Sequence, residues 1–254
     1  MHKTIQEQNI ILIIQARMGS TRLPKKMMLD LAGAPLLERI LERVKRVRLI
    51  NKIVVAIPVN EQDDVLEQVT LKCKVECFRG SENDLVDRYY QASKKFRADL
   101  ILRLPADNPI PEPDEYDSLI TYHCQSNNDF SSNIYNFMGN GYPDGIGVEI
   151  FTFNSLEYIW KNVNNPYYRE HIAINYYDYL NNEPPKHTNF KVGTINCPTE
   201  ISRPDLVLDV NTQEEYLFIK QLYDYIYPRN PLFKIADVID WYDNVYNNNK
   251  KKEK

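Results

Sequence analysis

Two rhythms of apolar and polar positions run along the first hundred residues. Short apolar runs rich in β-branched residues occur at Ile10–Gln15, Lys52–Pro58, 74–78 and 99–104. Between them lie longer stretches with apolar residues at helical spacing. Residues 35–48 carry Leu36, Leu37, Ile40, Leu41, Val44 and Val47 on one stripe, and 61–72 and 84–97 follow the same rule. Strand-helix-strand repetition predicts an α/β fold, with a mostly parallel sheet covered by helices on both faces. After residue 104 the rhythm breaks. Residues 126–150 are rich in Asn and Gly and predict loops around "SSNIY" and "GVEIF". Further helices are expected at Phe153–Asn162, 168–180, 213–225 and 235–246, and strands at 191–195 and 206–210. The pattern predicts one domain over residues 1–246 with an inserted arm near 126–180, then a frayed polar tail at 247–254.

Composition narrows the class. The chain has 254 residues, enough for a sizeable core, and 43% of them are hydrophobic. The longest aliphatic run, residues 10–14, is far too short to cross a bilayer. Residues 1–8 are polar and predict no signal peptide. A net charge of −4 argues against a nucleic-acid coat. Four cysteines, at 73, 77, 124 and 197, form no CxxC pair, so a zinc site is not expected. Reduced thiols and a cytoplasmic location are the expectation.

The chemistry concentrates just past the first strand. "IIQARMGSTRLPKKMML" places Gln15, Ala16, Arg17, Ser20, Thr21, Arg22, Lys25 and Lys26 at the end of an apolar run. Open α/β sheets bind ligands at the carboxyl ends of their strands. Arginines and lysines beside backbone N–H groups there make a cradle for a highly charged anion such as a triphosphate. No GxxxxGK[ST] loop is present, and no GxGxxG follows the first strand, which argues against a dinucleotide-dependent oxidoreductase. Asp107, in "LRLPADNP", and Asp209, in "DLVLDVNT", each follow an apolar strand. As a pair they are candidate Mg²⁺ ligands, since Mg²⁺ takes one or two carboxylates and completes its shell with phosphate oxygens and water.

The opening motif resembles the start of the CTP-dependent cytidylyltransferases, closest to the spore-coat polysaccharide branch and more distantly to the 3-deoxy-manno-octulosonate and acylneuraminate enzymes. The resemblance continues through "FRGSENDLVDRYYQA" (78–92), "ADNP" (106–109), "YPDGIGVEIF" (142–151), "YREH" (168–171) and "LVLDVNTQEE" (206–215), in order, over about residues 9 to 243. It implies a Rossmann-like sheet, bound CTP, Mg²⁺, release of pyrophosphate and a homodimer joined through the arm. It implies that Arg17 and Lys26 hold the triphosphate within a loop shaped by Ser20, Thr21 and Arg22. Arg79, Gly80, Ser81 and Arg88 would lie near the cytosine, and Asp107 and Asp209 would hold Mg²⁺. Lys25 stands where the family usually has glycine, and Pro105–Ala106–Asp107 where it usually has Thr-Gly-Asp.

Nucleotidyl transfer needs no nucleophilic side chain, and neither a GxSxG elbow nor a Cys–His pair is evident. Asp144, Glu149, Arg169, Glu170 and His171 are candidates for the acceptor side, with Arg169 suited to clamp a carboxylate or phosphate. A sugar acid would give a CMP-linked product and a phosphorylated acceptor a CDP-linked one. Members of the resembling branch act in capsule decoration, one of them on phosphoglutamine, so that acceptor is a candidate. A nucleotide-binding or sensing protein without turnover is the reading from another class.

Overall fold

The computed structural model describes residues 4–248, except 136, 180, 182 and 186. The expected tail lies outside the described residues from 249 onward. The first strand, β1 (Ile10–Gln15), sits at the centre of the molecule, and its residues 10–14 are fully buried. It pairs in parallel with β2 (Lys52–Pro58) on one side and β4 (Leu100–Pro105) on the other. β3 (Glu76–Gly80) continues the parallel order beyond β2. Continuous apolar strands of this kind are buried on both faces.

The two faces are fed by alternate residues of β1. Ile10, Leu12 and Ile14 join a core with α1 (Leu36–Val44), α2 (Asp64–Lys72), α4 (Pro113–Ser126), α7 (Gln213–Ile226) and α8 (Ile235–Trp241). Ile11 and Ile13 join a second core with α3 (Leu85–Lys95) and α5 (Phe153–Asn162).

The second half departs from the expectation. α4 falls where no helix was expected, although Tyr116, Leu119, Ile120 and His123 are buried at helical spacing. Asp114, Glu115 and Asp117 dilute that stripe in the sequence. Residues 126–150 hold two strands, not loops alone. β6 (Glu149–Thr152) pairs antiparallel with β4, and β5 (Phe130–Ser132) pairs antiparallel with β6. β7 is only Val192–Gly193, and the sheet order is β3-β2-β1-β4-β6-β5-β7. Much of 126–180 is therefore built into the sheet and its cover.

The helix expected at 168–180 is instead α6 (Pro166–Glu170) followed by a tight turn at Ile172–Asn175. Tyr168, Tyr176 and Tyr177 pack as rings against the second core, so aromatic packing sets this segment. Residues 206–210 make a single bridge, Asp144 to Val207, rather than a strand. No helix among the described residues is long and apolar enough to cross a membrane, and all four cysteines are unpaired.

Candidate active site

After Gln15 the chain leaves the sheet and folds into a basic loop. Asp63, fully buried in the turn before α2, accepts the Met18 N–H at 2.6 Å and anchors the loop's first bend. The Ser20 hydroxyl accepts the Leu23 N–H at 3.3 Å. Met27, 2% exposed, pins the far end into the core. Lys25 adopts φ 57°, in the left-handed region. That torsion is why glycine suits the position, since a Cβ there is strained.

The loop walls a cavity of about 210 Å³. Gln15, Ala16, Arg17, Ser20, Thr21, Arg22 and Lys26 line one side, and Pro105, Ala106, Asp107 and Asn211 the other. The expected phosphate cradle and Asp107 therefore share one space. Arg17 and Arg22 are exposed. Lys26 is half-buried and donates to the Val210 carbonyl at 2.8 Å. Burial lowers its pKa; Asp107, Asp209 and Glu215 oppose that shift, while Arg22 adds to it.

Asp107, just past the end of β4, and Asp209, in the non-strand 206–210 segment, are tied by the Val210 N–H donating to the Asp107 carbonyl at 2.8 Å. Asp144 joins them, bonded through its backbone to Leu206 and Leu208 at 2.9 and 3.1 Å. Gly145 permits this approach. Its φ is +87°, and a Cβ there would lie 2.6 Å from the Leu208 carbonyl carbon and 2.7 Å from the Asp209 nitrogen. Burial and then the charges of Asp144, Asp107 and Glu215 push the Asp209 carboxyl up to about 6. Burial, then Asp107 and Glu215, raise Asp144 as well.

The Thr212–Glu215 capping box that starts α7 holds Asn211, whose N–H donates to Glu215 at 2.6 Å. The Asn211 amide reaches the Asp209 carboxylate and accepts from Arg22 at 2.9 Å. Asn211 thus links the two sides of the cavity.

Among the described residues no group of three or more His, Cys, Asp and Glu is arranged to hold a metal alone. Carboxylates that raise one another's pKa next to a phosphate-sized basic cavity do fit Mg²⁺, which needs few protein ligands when phosphate oxygens supply the rest.

A second cavity, about 190 Å³, shares Gln15, Ala16 and Arg17 with the first. Its other walls are Glu82, Leu85, Arg88, Arg103, Glu170 and His171. Arg88 is 5% exposed, and its Nε and Nη1 are buried without hydrogen-bond partners among the described residues.

Other expected site residues lie elsewhere. Arg79 turns to the edge of the sheet and pairs with Glu67 at 2.7 Å and Asp64 at 2.5 Å. Gly80 ends β3 and makes room for the Phe78 and Arg88 side chains, which a Cβ would meet at 2.9 and 3.0 Å. Ser81 accepts the Asp84 N–H at 3.1 Å at the entry to α3. Arg169 is no free clamp, because it pairs with Asp84 at 2.7 Å and donates to the Val163 carbonyl at 2.8 Å. Glu149 is 1% exposed, ion-paired with Arg103, and accepts from the Tyr179 hydroxyl at 2.9 Å. The sequence reading passed over Asp63, Arg103 and Asn211. An arginine inside the apolar run "DLILRL" was the visible signal for Arg103, and Asn211 precedes a T-x-x-E capping box.

Residues 11–223 match the cytidylyltransferase family. The chain is 33% identical over 237 residues to an uncharacterized protein of Methanocaldococcus jannaschii, covering 92% of this chain and 90% of that protein. It is 33% identical over 220 residues to the spore coat polysaccharide biosynthesis protein SpsF of Bacillus subtilis, covering 85% and 86%. The solved structure of a cytidylyltransferase from Leptospira borgpetersenii superposes with a TM-score of 0.78 at 29% identity, covering 92% and 93%.

Proposed function

Because this chain belongs to the cytidylyltransferase family, whose members are CTP-dependent nucleotidyltransferases, we propose that it moves CMP from CTP onto an acidic or phosphorylated acceptor, with Mg²⁺, and releases pyrophosphate. The observation that carries this reading is the first cavity, where Arg17, Arg22 and Lys26 face Asp107 across a space bridged by Asn211. Three cations and a carboxylate around one gap suit a metal-bound triphosphate and little else.

The acceptor oxygen forms a bond to the α-phosphorus as the bond to the bridging oxygen breaks, and pyrophosphate leaves with the electron pair. A phosphate acceptor brings no proton on the attacking oxygen, and a sugar-acid hydroxyl would release its proton to water as its bond to phosphorus forms. Arg17 and Lys26 hold the triphosphate and meet the charge that grows on its oxygens. Asp107 and Asp209, with Asp144 behind them, would hold Mg²⁺, which adds neutralising charge at the phosphates. The nucleoside occupies the second cavity, which Arg88 lines, and a guanidinium there suits a cytosine carbonyl. This moves the base contact from Arg79 to Arg88. Glu170 and His171 close the same cavity, and His171 is exposed to the acceptor side.

The spore-coat relative supports a role in making surface polysaccharide. Within that role we assign a phosphorylated acceptor such as phosphoglutamine first and a sugar acid second. Exposed Tyr135 and Met138, on the connection between β5 and β6, support a homodimer face. Incubation with CTP, Mg²⁺ and a panel of phosphorylated and carboxylated acceptors tests the reading. Pyrophosphate release is expected with an acceptor present. Tight CTP binding with no turnover across the panel would favour the sensing protein.

A further inference from the structure

Gln15 occupies a junction. It ends β1 with Ala56 of β2 on one side and Pro105 of β4 on the other, and it lines both cavities. With the triphosphate in the first cavity and the nucleoside in the second, the group between them is the α-phosphate. The orientation of the Gln15 amide is settled by Arg103, whose Nε donates to the Gln15 Oε1 at 3.2 Å. A guanidinium has no acceptor, so the amide oxygen faces Arg103 and the NH₂ takes no part in that bond.

Arg103 is itself fixed. It lies opposite Glu149 in the β4–β6 register, forms an ion pair with it, and Glu149 also accepts from Tyr179. We propose that Gln15 donates its amide N–H to the α-phosphate of CTP, and that Arg103, held by Glu149, is the positioning residue that aims it. An N–H placed in advance on a non-bridging α-oxygen strengthens as charge grows there during transfer. The proposal rests on the CTP reading above.

The test is equilibrium binding of cytidine, CMP and CTP with Mg²⁺ and no acceptor, so that no turnover intervenes. Gln15→Met removes the donor without leaving a charge unpaired. The double variant Arg103→Met with Glu149→Gln frees the amide while removing both buried charges together. In each, the gain in affinity from cytidine to CMP shrinks by roughly tenfold or more, whatever change cytidine itself shows. The preference between the two diastereomers of CTP carrying sulfur at the α-phosphate shrinks with it, which a purely structural role would not cause.

Retention of the wild-type CMP-to-cytidine ratio in Gln15→Met overturns the proposal. So does a loss in the double variant that affects cytidine equally. Gln15→Met remains decisive if the double variant does not fold. A wild type that binds cytidine but not CTP overturns the cytidylyltransferase reading itself, and the proposal with it.

Discussion

Single residues in the basic loop divide by what they do without ligand. Arg17 is exposed and has no structural hydrogen bond among the described residues, so Arg17→Ala should change stability by less than about 0.5 kcal/mol. Lys26 is half-buried and holds the Val210 carbonyl, so Lys26→Ala should cost about 1 kcal/mol. Both should lower kcat on the order of a hundredfold, because both meet charge at the reacting phosphates. Thermal unfolding beside steady-state rates separates the two effects, and an unfolded Arg17→Ala would make the loop a structural element. Lys25→Gly relieves a left-handed torsion, so it should keep activity and raise or hold the melting temperature.

His123 is a second kind of residue. It is 3% exposed, its Nδ1 meets the Ser131 hydroxyl at 3.0 Å, and its Nε2 has no hydrogen-bond partner among the described residues. Burial lowers its pKa to about 4. The neutral ring therefore contributes stability that is present above the unfolded value near 6.5 and is lost as pH falls toward 4, at most about 3 kcal/mol. Denaturation midpoints of wild type and His123→Gln should converge as pH falls through that window. Parallel curves would show that His123 does not titrate on unfolding.

At the scale of elements, the site depends on how closely two non-strand segments approach. The Asp144 loop can press on the Asp209 segment only because residue 145 lacks a Cβ. Gly145→Ala should separate the carboxylates, lower the melting temperature by several degrees and abolish Mg²⁺-dependent activity, while CD keeps the α/β signature. A fully active Gly145→Ala would show that Asp144 is not needed beside Asp209.

This approach was the least legible part of the sequence. The central strands were readable because continuous apolar runs must be buried, and β1 and β2 have the bounds that the pattern predicts. The basic loop was readable because its charges follow one strand directly. Arg79 and Arg169 were misplaced because an arginine's sequence cannot show whether Glu67 or Asp84 already satisfies it. Asp63, Arg103 and Asn211 act through bonds to residues 45, 88 and 189 positions away, which no local pattern encodes.

Across the whole molecule, the two cavities share Gln15, Ala16 and Arg17 at the carboxyl end of β1. The basic residues of the first cavity suit a triphosphate, and Asp107, which also lines it, adds to the raised pKa of Asp209 and Asp144. A metal–nucleotide complex answers both demands at once. Isothermal titration of CTP, ATP and GTP against wild type, Asp107→Asn and Asp209→Asn, each with Mg²⁺ and with EDTA, tests this most directly. The account predicts that wild type binds CTP at least tenfold more tightly than either purine nucleotide, that EDTA weakens that binding, and that each asparagine variant binds CTP as weakly with Mg²⁺ as without. CTP binding that is no tighter than ATP binding, or that both variants retain with full Mg²⁺ dependence, would contradict it.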